Sequence, residues 1–424
     1  MRYLCFLLHF YALQLHSARL DIKSDINTSV KSFSNLIYES KNYNLSYIKS
    51  NIDLLFTLKD IVLEKTKQSY ADVSVGFRAF TISQENLSSK PYLKEIYDFY
   101  GNKNIFFPHQ AYITIKNFLY PNWTFTSGRL PYTLSNGVVF SDNSKGIDGF
   151  KIDITNRFAI DTIEIFYFRA FYESNYNLSG ITLNKSLGEG VWQIYLLKSI
   201  SGLENTPFLS YTKTDKTYKG ISYSIDTKKL SYSFEFVNEG GKSTLTSAKR
   251  IKKLAYAFNL KALWSLQMPV VGKIKARSEY LKSSAGTTTQ KDKTFYSPFS
   301  KRFCGFERCG VGEIIASSPW SVIRTSQTIT GLPTTMAAGI RTFRIGFDMP
   351  IQKYIFSYDF YRYRTTSFLS SKEIGKEHSI KLSHNLSEKT SFSLIYSKFK
   401  PEGLLKTTSI KNTSLISFEI KTGF

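Results

Sequence analysis

Beyond its first residues the chain has no apolar run of the ~20 residues that a helix needs to cross a bilayer. A membrane protein built this way has to be a closed barrel, because only closure then satisfies every backbone group in lipid. Histidine is scarce, with five in 424 residues: His9, His16, His109, His378 and His384. Two fall in the leader and none forms a metal-spaced cluster. There is no G-x-S-x-G elbow and no phosphate-binding loop. An enzyme is therefore not expected, and no catalytic residue, metal or cofactor is assigned. Cysteine is limited to Cys5, Cys304 and Cys309, and Cys5 lies too early for a lipoprotein cleavage site. Acidic residues are also in deficit, 33 against 56 Lys+Arg, for a net charge of +23. Such an excess fits nucleic-acid binding or a pore that attracts anions.

What is abundant decides between those two. Aromatics make up 16% of the residues, with 34 Phe and 28 Tyr, yet the mean hydropathy is -0.21. A wall with one face in lipid and one in water gives this combination, because apolar and polar residues alternate and nearly cancel. The last segment, SLISFEIKTGF, places Ile416, Phe418, Ile420 and Phe424 on one face and Ser417, Glu419, Lys421 and Gly423 on the other. Upstream, the same parity groups Phe392, Leu394 and Tyr396, then Tyr354, Phe356, Tyr358 and Phe360, then Phe343, Ile345 and Phe347. Leu230, Tyr232, Phe234 and Phe236 follow it, as do Phe150, Ile152 and Ile154, and Val73, Val75 and Phe77. Connections alternate between long and short. FKPEGLLKTTSIKN, RTTSFLSSKEIGKE, NEGGKSTLTSAKR and the stretch from Lys282 to Ala338 are long. NLSEKT, PIQK and DTKK are short. Long external loops and short periplasmic turns produce that rhythm, and it argues against nucleic-acid binding.

The expected fold is all-β, a transmembrane antiparallel up-and-down barrel of roughly 14 to 18 strands, in the bacterial outer membrane and in contact with its lipid. Residues 1–18 read as a signal peptide, with Arg2 as its positive start, Tyr3 to Leu15 mostly apolar, and cleavage after Ala18. An uncleaved N-terminal helix is the alternative. Residues 19–69 show helical spacing through Ile52, Leu55, Ile61 and Val62. They are expected to form a short, partly helical periplasmic or plug segment, against a disordered leader or one or two further strands. The barrel then occupies 70–424. In an oxidising periplasm Cys304 and Cys309 of CGFERC are candidates for a loop disulfide, with two unpaired thiols as the bland reading. A zinc site is disfavoured because two ligands do not fill a tetrahedral shell.

Charges on the polar face must point into the lumen, since Arg or Lys at the lipid midplane costs about 2–4 kcal/mol. In VGKIKARSEY this turns Lys273, Lys275, Arg277 and Glu279 inward. The same parity sends Arg78, Lys116, Lys151, Lys229, Arg344, Lys381 and Lys421 inward, along with Asp153, Glu235, Asp348 and Glu419. A wall biased to cations would pass anionic solutes without catalysis. A barrel plugged by the residues before Ser69 or by the Cys304–Cys309 loop, acting as a surface adhesin or interaction protein, is the second expectation.

Two resemblances add to this. A terminal Phe424 closing an alternating strand resembles the signal read by the bacterial barrel-assembly machinery. The segment from Phe125 to Ile152 resembles the alginate-export family of outer-membrane barrels in Gly128, Arg129, Gly137, Asp148 and Gly149. That resemblance implies a basic lumen carrying an acidic polysaccharide outward, with Arg129 and Asp148 near the constriction. A direct Arg129–Asp148 pair bracing an in-folded loop is the alternative role for the two.

Overall fold

Two-residue alternation builds strands, and the strands build one closed wall. The computed structural model describes residues 18–38, 41–83, 104–157, 159–171, 175–202, 204–205, 210–269, 272–286, 290–297, 299, 301, 303–304, 307–308, 311–314, 339–366, 373–403 and 411–423. The signal segment, Cys309 and Phe424 lie outside the described residues, and so do the expectations attached to them. The wall strands are β1 (Arg19–Tyr38), β2 (Lys41–Glu64), β3 (Ser69–Ile82), β4 (Asn104–Lys116), β5 (Trp123–Leu130) and β6 (Ile147–Arg157). They continue as β7 (Ile160–Phe171), β8 (Asn175–Leu187), β9 (Gly190–Ser201), β10 (Ser210–Asp226), β11 (Leu230–Leu245) and β12 (Arg250–Met268). The last are β13 (Gly272–Ser283), β14 (Ile340–Ile351), β15 (Tyr354–Thr365), β16 (Glu373–Asn385), β17 (Thr390–Pro401) and β18 (Thr413–Gly423). Each pairs antiparallel with its chain neighbours. β18 returns to β1, from Asp25 opposite Gly423 to Ser34 opposite Ser414. An 18-stranded closed barrel results, and closure leaves no unpaired edge in lipid.

The outer face is apolar and open. Ile194, Ile345 and Ile416 are more than half exposed, an arrangement that is stable where the surroundings are acyl chains. Aromatic rings gather toward the ends that carry the short turns. Trp192 lies 4.8 Å from Tyr223 and 5.6 Å from Phe234 between ring centroids, as expected of a ring belt at a membrane interface.

The N-terminal segment corrects the expectation for 19–69. It is neither helical nor a plug but two wall strands, so the barrel begins at Arg19. Lys49, Asn51, Asp53 and Thr57 alternate with Ile48, Ile52, Leu54 and Phe56 as in the other strands. Two features blurred the pattern. Leu55 sits among the inward positions, and one extra residue between Leu58 and Ile61 shifts the register against β3. A bulge of this kind flips parity, which brings Ile61 and Val62 into apparent helical spacing. The connection expected at NEGGKSTLTSAKR is also shorter than read. β11 runs to Leu245, and Lys242 pairs with Lys252 across the hairpin.

Gly128 of β5 and Gly149 of β6 face each other in register. Their φ angles are +124° and +156°. A Cβ on Gly128 would lie 2.3 Å from the Ala111 carbonyl oxygen, and one on Gly149 would lie 2.2 Å from that of Tyr167. Gly128→Val combines left-handed strain of about 1–3 kcal/mol with a backbone clash. It is expected to reduce the heat-modifiable, folded fraction on gel electrophoresis severely. Wild-type levels of folded protein would contradict the geometry.

Candidate functional site: the lumen

Two long connections fold into the barrel instead of standing above it. The first, 131–146, buries Leu134, Val138, Val139 and Phe140 almost completely. These pack on the inward rings Phe166 and Phe168 and on Phe299 of the second connection, which joins β13 to β14. Backbone bonds couple the two. Ser141 N donates to Phe299 O at 2.7 Å, and Lys301 N to Gly137 O at 2.8 Å. Apolar burial holds the two connections to each other and to the wall.

Polar latches fix them in place. Glu235, Glu239 and Glu377 are inward wall carboxylates with no solvent exposure. Each accepts backbone amides from the connections. Asn136 N donates to Glu235 at 3.0 Å, Tyr296 N to Glu239 at 2.9 Å, and Ile314 N to Glu377 at 3.0 Å. Tyr195 and Tyr363 add hydroxyl donors to Glu235 and Glu377 at 2.5 and 3.0 Å. Lys253 pairs with Asp292, and the Tyr211 hydroxyl donates to the same carboxylate at 2.7 Å. Burial pushes the Asp292 carboxyl up, but the Lys253 ammonium and the Tyr211 hydroxyl outweigh it and hold it below the usual carboxylate range. Arg78 grips Asp53 beside it on β2 and donates to the Ser144 carbonyl, tying the first connection to β2 and β3.

A lattice of ions lies on β13, β14 and β15. Arg277 donates from Nε to Asp359 at 2.7 Å and from Nη1 to Asp348 at 2.5 Å. Arg344 donates to Asp359 at 2.9 and 3.1 Å, and lies 3.7 Å from Glu279. Gly346 leaves the space for this arrangement, since a Cβ there would meet Asp359 Oδ1 at 2.1 Å. The lattice carboxylates are thus taken up by arginines. Lys275 lies in the same row as Asp348, Ser357 and Lys381. Among the described residues neither Lys275 nor Lys381 has a carboxylate within ion-pair distance. Lys273 extends this cationic stripe toward the short-turn end.

The remaining expected lumen residues divide. Lys151 is inward, 2.7 Å from Asp153 and 3.2 Å from Glu164. Lys116 is inward at the short-turn end, 2.9 Å from Asp72. Lys229 is not on the wall; it sits exposed in the turn between β10 and β11. Arg129 and Asp148 pair through two hydrogen bonds of 2.8 and 2.9 Å, but on the outer face. They share parity with Phe125 and Phe150, whereas Leu130 and Ile147 turn inward. They do not line the lumen. Cys304 lies in a tight two-stranded hairpin, with Cys304 opposite Glu307. The buried latches Glu239, Lys253 and Glu377, with Lys216 3.5 Å from Glu239, carry no motif in the sequence. Their inward parity is readable, but the loop segments that bury them carry no periodic signal.

The fold and the apolar girdle define the class: an 18-stranded outer-membrane β-barrel with a partly filled lumen. No protein-family model matches the sequence, and no curated protein does. Solved structures do match over nearly the whole chain. Pseudomonas aeruginosa OccK8 (OprE) superposes with a TM-score of 0.57 at 11% identity, covering 96% of this chain and 98% of that one. Pseudomonas aeruginosa OccK2 (OpdF) in complex with glucuronate gives 0.54 at 9% identity, with 95% and 98% covered. Pseudomonas aeruginosa OpdK with vanillate gives 0.54 at 10% identity, also with 95% and 98% covered. At these identities the likeness is one of fold.

Proposed function

We propose that the barrel is a passive outer-membrane channel for small anionic solutes. The observation that carries this reading is the imbalance around the ion lattice. Its carboxylates are bound to Arg277 and Arg344, while Lys275 and Lys381 face the lumen with no carboxylate of the described residues within ion-pair distance. An anion passing there meets uncompensated positive charge in a narrow, low-dielectric tube. The fold neighbours crystallised with glucuronate and with vanillate support the same solute class. Small solutes are favoured over an acidic polysaccharide for two reasons. The in-folded connections narrow the lumen, and the Arg129–Asp148 pair behind the alginate-export resemblance turns to the outer face. Of the two plugs a closed adhesive barrel would use, the residues before Ser69 are wall and not plug.

Liposome swelling tests this. Vesicles holding the protein should admit glucuronate faster than a neutral hexose of similar size. Equal rates, or a faster neutral sugar, would refute the assignment.

A further inference from the structure

The outer face of β9 to β12 carries a feature that passive transport does not use. On these strands the external ends are those beside Ser201, Ser210, Leu245 and Arg250, following the long-loop side of the barrel. Outward residues form rows across the four strands. Lowest is an apolar row of Ile194, Ile221 and Phe236, continued onto β8 by Leu183. With Ile181 and Leu196 it lines an open groove of about 440 Å³. Lys219 stands one row above, Lys198 two rows, and Lys242 opposite Lys252 three rows. Lys213 and Arg250 stand in the row above that, both in register with Thr244. Rows are roughly 6.6 Å apart, two residues of strand rise. Six exposed cations therefore climb from the top of an apolar groove over about 20 Å. The acid among them is Asp215, in register opposite Lys242, with its carboxylate 3.6 Å from Lys198.

Like charges directly opposed across a strand pair are destabilising, so Lys242 opposite Lys252 calls for a counter-charge. The rest of the outer face supplies an internal comparison. Arg341 opposes Arg364, and Glu373 binds Arg364. Lys376 opposes Lys400, and Glu402 lies 3.0 Å from Lys376. Further round, the equivalent rim is neutral, with Ser32 opposite Ser46 and Ser34 opposite Ser414. Asp215 stands across from Lys242 with its carboxylate 3.6 Å from Lys198, and among the described residues no carboxylate lies within ion-pair distance of Lys242 or Lys252. The Lys242–Lys252 pair stands above the apolar groove, on the outer-leaflet side.

We infer that this patch is a binding site for a phosphorylated, multiply acylated glycolipid of the outer leaflet. The phosphates sit among Lys213, Lys242, Arg250 and Lys252, Lys198 and Lys219 reach up from below, and an acyl chain lies in the groove. Lysine stems lie along apolar surface while their heads seek the headgroup layer, and clustered cations beside a membrane recruit anionic lipid.

The test is native mass spectrometry of the full, folded chain in detergent with diphosphoryl lipid A. Wild type should retain the lipid through detergent exchange. The fully dephosphorylated glycolipid should be retained about tenfold less by the same protein, a comparison that needs no variant. The variant K213Q/K242Q/R250Q/K252Q, with folding checked by heat-modifiable migration, should fall to that same level. Equal retention of the phosphorylated and dephosphorylated lipids would overturn the assignment, as would undiminished retention by the variant. Full displacement of the lipid by an equal concentration of inorganic phosphate would also overturn it, since the groove would then contribute nothing.

Discussion

Lys253→Met is expected to convert a narrow channel into one with large, noisy open events in planar bilayers. Lys253 and Asp292 have essentially no solvent exposure and hold the second in-folded connection to β12. Removing one partner of a buried pair leaves the other charge uncompensated and costs about 3–5 kcal/mol. That is roughly two to three and a half powers of ten in the ratio of docked to undocked connection, at about 1.4 kcal/mol per factor of ten. Asp292 is not the only carboxylate affected, because Glu239 sits in the same buried cluster through Lys216 at 3.5 Å. Replacing both members with apolar residues should recover much of the quiet state, since a buried pair exchanged for hydrophobic packing is often neutral. Asp292 also accepts Thr294 N at 2.9 Å, so recovery stays incomplete. Single-channel recordings of Lys253→Met that match wild type in step size and noise would show that the connection is held elsewhere.

The second large effect concerns selectivity. Lys275→Glu with Lys381→Glu turns two lumen cations into two anions next to a lattice whose arginines are already occupied. A unit charge in such surroundings is worth from about 1 to about 4 kcal/mol at contact distance, depending on the effective dielectric. The anion-to-cation permeability ratio should fall by on the order of tenfold or more. Arg129→Ala serves as the control and should leave the ratio unchanged, because its side chain is on the outer face. A ratio that responds to Arg129 but not to the two lysines would reverse the placement of these residues.

These residues also show how far the sequence reaches. Strand parity from Val73 to Phe418 was legible because each strand has one lipid face, and lipid tolerates no inward–outward error. The same rule oriented Lys275, Arg277, Arg344 and Lys381. It would also have oriented Arg129, which is four residues from Phe125 and so on its face. The family resemblance, taken over parity, put Arg129 at the constriction instead. Residues 19–64 failed for a local reason, an inward Leu55 and a bulge before Ile61. The in-folding of 131–146 and of the β13–β14 connection was not legible at all. Those segments have no periodicity, and what seats them is packing on Phe166 and Phe168 and amide donation to Glu235, Glu239 and Glu377, contacts between positions far apart in the chain.

The reversal potential of the wild-type protein across a planar bilayer under a tenfold potassium chloride gradient bears most directly on the whole account. Uncompensated lysines facing a water-filled lumen require conductance with a clear preference for chloride. A preference for potassium, or a folded barrel that carries no current, would contradict it.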